Sequence, residues 1–115
     1  MSVKIYHNPR CSKSRQTLQL LEEKGLQPEV VEYLKAAPSK AELESVLALL
    51  RLNPRELMRK GENIYKELNL NDASLSHEQL VNAMLDHPIL IERPIVLANG
   101  KAAIGRPPES VLDIL

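Results

Sequence analysis

The chain has 115 residues, and its 15 Lys+Arg balance 15 Asp+Glu, so the formal net charge is zero. That balance argues against a protein that binds nucleic acid through bulk charge. With no Phe, no Trp and three Tyr, there is also little from which to build a base-stacking platform.

The first apolar run, Val3 to His7, reads as a strand. Helical periodicity then runs from about Ser12 to Lys24, with Leu18 and Leu21 on one face and Gly25 as the stop signal. Pro28 to Leu34 carries a β-branched pair and reads as a second strand. Strand, helix, strand within 34 residues is a βαβ unit, so its two strands should be parallel. Ser39 with Glu42 is a capping box that opens a helix containing Leu43, Val46, Leu47 and Leu50. Asn53-Pro54 starts a short helix over Arg55 to Arg59, stopping near Gly61, and Ile64 to Leu68 reads as another helical turn. Ser76 with Gln79 is a second capping box, and His87-Pro88 ends the helix it opens. Asn99-Gly100 between Pro94–Ala98 and Lys101–Ile104 signals a hairpin with a type I′ turn. Pro107-Pro108 admits a last helix with Val111, Leu112 and Leu115 on one face.

The expected class is α/β: a mixed four-stranded sheet of thioredoxin-like layout, with a helical insertion between βαβ and ββα halves. One domain over residues 1–115 fits this length. One cysteine leaves no disulfide within the chain. The N-terminus does not read as a signal peptide, and no apolar stretch approaches a membrane span. A cytoplasmic protein that does not engage membranes, and a monomer, are the expectations.

Cys11 lies between the first strand and the first helix, at or just before the helix's first turn. Unpaired N–H groups and a partial positive charge favour a thiolate there, as do Arg10, Lys13 and Arg15, with His7 a further candidate cation. Its polar and charged neighbours point to a reactive thiol rather than a buried structural one. Cys11-Ser12-Lys13-Ser14 is a C-x-x-S variant of the redox C-x-x-C motif. Ser14 cannot resolve a disulfide, so an outside thiol must release any covalent state of Cys11. Two readings of its hydroxyl stand open: a donor to the Cys11 thiolate, or a helix cap.

Other anion sites fail. A tyrosine-phosphatase loop needs arginine six residues after the cysteine, where Thr17 stands, and neither G-x-x-x-x-G-K-[ST] nor G-x-G-x-x-G occurs. No metal or bound cofactor is expected, because His7, His77 and His87 have no ligand spacing with the one cysteine. Arg59, Arg93 and Arg106 are either surface charges or, being planar and bidentate, a set for an oxyanion.

Tyr6-His7-Asn8-Pro9-Arg10-Cys11-Ser12-Lys13-Ser14-Arg15, Arg59-Lys60, Tyr65-Lys66-Glu67-Leu68, His87-Pro88-Ile89-Leu90-Ile91-Glu92-Arg93-Pro94-Ile95 and Gly105-Arg106-Pro107 follow in order along the chain. Together they resemble the glutaredoxin-coupled arsenate reductase family, which also contains the Spx regulators. The resemblance implies Cys11 as the nucleophile toward arsenate and Arg59, Arg93 and Arg106 as oxyanion ligands. It assigns His7 and Ser14 to favouring the thiolate. It also implies glutathione as co-substrate and glutaredoxin as partner. Two other functions stay open: an Spx-like module that binds RNA polymerase, and a glutathione-linked thiol reductase. Pro94, just before the third strand in this layout, is expected to follow a cis peptide bond.

Overall fold

The computed structural model describes residues 2–115. Its elements are β1 Val3–Tyr6, α1 Ser12–Glu23, β2 Glu29–Val31, α2 Lys40–Leu50, α3 Pro54–Leu57, α4 Asn63–Glu67, α5 His77–Asp86, β3 Ile95–Ala98 and β4 Lys101–Ile104. Two 3₁₀-helices, Pro88–Leu90 and Pro108–Ile114, complete the list. The chain divides into two compact units, Met1–Ala36 with Arg93–Leu115, and Ala37–Glu92.

The first unit is a mixed sheet in the order β2-β1-β3-β4. β1 and β2 are parallel, as a βαβ connection requires, while β1–β3 and β3–β4 are antiparallel. Register places Val3 opposite Ala98 and Ile5 opposite Val96, so these four share one face. Leu21 of α1 and Val111 and Ile114 of the C-terminal 3₁₀-helix cover that face and make a core with it. Asn99 (φ 55°) and Gly100 (φ 70°) form the expected hairpin turn, with both central residues in the left-handed region. Asn99 has a second use: its side-chain amide donates to the Ile114 carbonyl at 2.8 Å, which ties the turn to the end of the C-terminal helix.

Two expectations need correction here, and a third needs extending. The second strand is shorter than Pro28 to Leu34, because the chain turns at Glu32, whose carbonyl accepts from the Lys35 and Ala36 N–H groups. The last helix is 3₁₀, and Val111 and Ile114 are buried while Leu112 and Leu115 are only half-buried. Side chains three apart eclipse in a 3₁₀ turn, so i and i+3 form its inner face. In α1 Leu21 is in the core and Leu18, on the same face, packs against it half-buried, but the fully buried positions also include the polar Ser14 and Thr17, which periodicity of apolar residues did not mark.

The second unit is helical. Ser39 with Glu42 and Ser76 with Gln79 form reciprocal capping boxes at α2 and α5, and Asn53 with Glu56 forms a third at α3. Leu43, Val46 and Leu47 of α2 and Leu80, Val81 and Met84 of α5 are buried. α3 ends at Leu57 rather than Arg59, because the next residues pair with another segment. Met58 bridges Ile91, Arg59 N–H donates to the Leu90 carbonyl at 2.7 Å, and Glu92 N–H donates to the Leu57 carbonyl at 2.9 Å.

Candidate active site

Cys11 occupies the N-cap position of α1 in extended conformation. It offers no side-chain cap, and the first turn contains no acidic residue. The helix's N-terminal positive charge is therefore left uncompensated beside the thiol. The loop before it is closed by Asn8. Its carbonyl accepts from Cys11 N–H at 3.0 Å, its side-chain oxygen accepts from Arg10 N–H at 3.0 Å, and its own N–H donates to Ser14 Oγ at 3.0 Å. Asparagine before proline at a turn is the signal that would have singled out Asn8.

Cys11 is 9% exposed, more sheltered than its polar sequence neighbours suggest. The cation on its sulfur is Arg106, whose Nη2 lies 3.5 Å from Sγ. Arg106 Nε donates to the Arg93 carbonyl at 2.8 Å, which fixes the guanidinium against the opposite strand end. The hairpin makes this possible. Ile95 pairs with Ile104, and Gly105 N–H donates to the Pro94 carbonyl at 2.9 Å, so Arg93 and Arg106 sit at adjacent open ends of β3 and β4. The Arg93–Pro94 bond is cis as expected, and so is Arg106–Pro107, which was not anticipated. Arg15 is tied elsewhere: its Nη1 donates to the Pro9 carbonyl at 3.0 Å.

Gly105 is required by close approach. A Cβ there would come 2.5 Å from Thr17 Oγ1 and 2.7 Å from Pro94 Cγ. Thr17 is itself anchored, its hydroxyl donating to the Lys13 carbonyl at 2.7 Å.

The Ser14 hydroxyl does not bond to Cys11. It is fully buried, 2.7 Å from His7 Nδ1, and it accepts from Asn8 N–H. The position three residues into α1 turns the side chain toward β1, where His7 follows the strand. His7 is buried as well. Burial pushes its imidazole below its ordinary pKa; the Glu32 carboxylate opposes that shift, and the Arg15 guanidinium adds to it. A hydroxyl has one proton and two lone pairs. With a bare His7 Nδ1, Ser14 donates to it. With a protonated Nδ1, Ser14 accepts twice and its proton is released for another acceptor.

Arg59 belongs to the second unit, where Nε meets Glu62 at 3.1 Å and Nη1 meets Glu92 at 3.3 Å. The structure thus gathers Cys11, His7, Ser14, Arg93 and Arg106 in one unit and describes Arg59 in a carboxylate network of its own. Among the described residues, no group of three or more His, Cys, Asp or Glu could hold a metal ion. No helix among them is long and apolar enough to cross a membrane.

A thioredoxin-like sheet, one cysteine at the start of its first helix and a guanidinium on the sulfur define a single-thiol α/β protein equipped to receive an anion. Comparison with known proteins narrows the class. The ArsC family model matches residues 6–114. The uncharacterized protein YfgD of Escherichia coli is 63% identical over 98% of this chain and 96% of its own length. An arsenate reductase of Haemophilus influenzae is 53% identical over the full length of both. The solved structure of an arsenate reductase from Vibrio cholerae superposes with a TM-score of 0.97 at 58% identity, over 100% of this chain and 98% of that one. The chain belongs to the ArsC family.

Proposed function

We propose that the protein is an arsenate reductase and that residues 1–115 act as one functional domain. The observation that carries this reading is the Arg106 guanidinium 3.5 Å from Cys11 Sγ, braced on the Arg93 carbonyl. A guanidinium so placed stabilises the thiolate and carries the planar, bidentate charge that suits an oxyanion beside it.

In the proposed reaction the Cys11 thiolate attacks arsenic and water leaves, giving a covalent arsenic(V) adduct. The glutathione thiol then displaces a second oxygen from arsenic, which leaves as water, so that both sulfurs are bonded to arsenic(V). A glutaredoxin thiolate then takes the glutathionyl sulfur as a mixed disulfide, and the bonding pair left behind reduces arsenic to the trivalent state. Hydrolysis of the Cys11–arsenic bond releases arsenite. Arg93 and Arg106 stabilise charge on the oxyanion through these steps. His7 and Ser14 manage the proton that leaves the Cys11 thiol.

The test is a coupled assay with arsenate, glutathione and glutaredoxin. Arsenite formation that depends on all three and disappears in Cys11→Ser is the expected result. Wild-type protein that yields no arsenite under these conditions would overturn the reading.

A further inference from the structure

We propose that Glu32 is a positioning residue for the Cys11 site: it supports the charged form of His7 and so governs where the Ser14 hydroxyl proton points. This rests on the reading of Cys11 as the nucleophile.

The geometry comes from the sheet. Parallel register pairs Tyr6 with Val31, and His7 N–H donates to the Val31 carbonyl at 2.8 Å, which continues the ladder by one step. Glu32 therefore stands beside His7 at the end of the strands. Both residues line a pocket of about 250 Å³, into which Arg10 and Lys35 also reach. Lys35 Nζ lies 3.4 Å from Glu32 Oε1. The charged groups around the ring are Glu32 and Lys35 from the segment after β2, Arg10 from the loop and Arg15 from α1. Glu32 is the one carboxylate in this set. Burial and Arg15 disfavour the imidazolium; Glu32 favours it.

The consequence runs through Ser14. An imidazolium donates from Nδ1 to Ser14 Oγ, which already accepts from Asn8 N–H. The hydroxyl proton must then find another acceptor, and the Cys11 sulfur is one helical turn back. In this step His7 gains one proton from solution and the Ser14 hydroxyl rotates; no covalent bond to sulfur forms or breaks. Without Glu32 the ring stays neutral to a lower pH; while it is neutral Ser14 donates to Nδ1 and the thiolate lacks that donor.

Two measurements test this without arsenate: the His7 ring resonance followed by NMR against pH, and the rate of Cys11 alkylation by iodoacetamide against pH. Both are run on wild type, Glu32→Gln and Lys35→Gln, with the His7 signal assigned through His7→Gln. Glu32→Gln should lower the His7 midpoint by roughly half a unit or more. Lys35→Gln, which relieves Glu32 of a competing cation, should raise it by a smaller amount. Cys11 alkylation at mildly acid pH should slow severalfold in Glu32→Gln and move with the His7 midpoint. A His7 midpoint that stays put in Glu32→Gln overturns the proposal, as does one that moves while the Cys11 profile does not. Should Glu32→Gln fail to fold, an unshifted or lowered midpoint in Lys35→Gln overturns it alone. If these shifts occur and arsenate is not reduced, the arsenate reading falls and this one stands.

Discussion

The helices of this chain begin in two ways. α2, α3 and α5 start with Ser39, Asn53 and Ser76, and each forms a complete capping box with a Glu or Gln three residues on. α1 starts with Cys11 and the five-residue α4 with Glu62, and neither side chain caps its helix. A capping box satisfies the first N–H groups of its helix and stabilises by about 1 kcal/mol. At α1 that stabilisation is forgone, and the helix's positive end is left for the sulfur and whatever joins it. Of the two α-helix starts without a side-chain cap, α1 is the one that carries a thiol with a guanidinium on it.

The largest test of that contrast is at the sulfur. If Arg93 and Arg106 act on one anion at Cys11, changing either to Lys keeps the charge but loses the planar fork. Each substitution should lower kcat/KM for arsenate roughly ten- to a hundredfold, the loss of about 1.5–3 kcal/mol for a hydrogen bond to a charged group. Arg106 Nε is braced on the Arg93 carbonyl, so the two losses should be non-additive in the double variant. Near-wild-type kcat/KM in all three, with folding verified, would reduce both to surface charge.

A second test asks how firmly the fold holds that guanidinium. Gly105 precedes Arg106 and lies against Thr17 and Pro94 with no room for a Cβ. Thr17 cannot swing away without breaking its bond to the Lys13 carbonyl. Gly105→Ala should therefore destabilise by about 1–3 kcal/mol, the usual cost of overpacking. Urea unfolding checks it. Added Thr17→Ala removes one of the two clashing side chains and should recover part of the loss. A midpoint equal to wild type in the single variant would show that this wall gives way freely.

What could be read in advance follows the range of the interactions. Capping boxes at Ser39 and Ser76 and the Asn99-Gly100 turn are set by residues within four positions, so their chemistry is visible in the chain. Cys11 at a helix start, and the grouping of Arg93 with Arg106, follow from element order and the hairpin. The reciprocal bond between Asn53 and Glu56 was missed although it is equally local. The other misses depend on contacts between distant segments. Ser14 turns to His7 rather than Cys11 because β1 and α1 pack together. α3 stops early because Met58 pairs with Ile91, 33 positions on. Gly105 meets Thr17 across the unit, and Glu32 comes to His7 through sheet register. Periodicity in a single segment carries no trace of any of these.

The smallest expected effect bears most directly on the two kinds of helix start. Ser39→Ala and Ser76→Ala each remove a side chain that accepts from a first-turn N–H, and should cost about 1 kcal/mol. Cys11→Ser should do the reverse. Serine ranks among the best N-cap residues, and its smaller oxygen can accept from the first-turn N–H groups of α1 that cysteine leaves without a side-chain cap. Burying a hydroxyl in place of a thiol opposes this gain, because Cys11 is sheltered from solvent. However, Arg106 Nη2 and the helix amides supply partners, so the hydroxyl is not left unsatisfied. The balance should be a stabilisation of a few tenths to about 1 kcal/mol, with arsenate reduction lost. Urea unfolding of wild type, Cys11→Ser, Ser39→Ala and Ser76→Ala under reducing conditions decides it. A Cys11→Ser protein less stable than wild type would mean that the thiol holds the loop as well as reacting in it. The contrast between fold-holding and reactive helix starts would then fail.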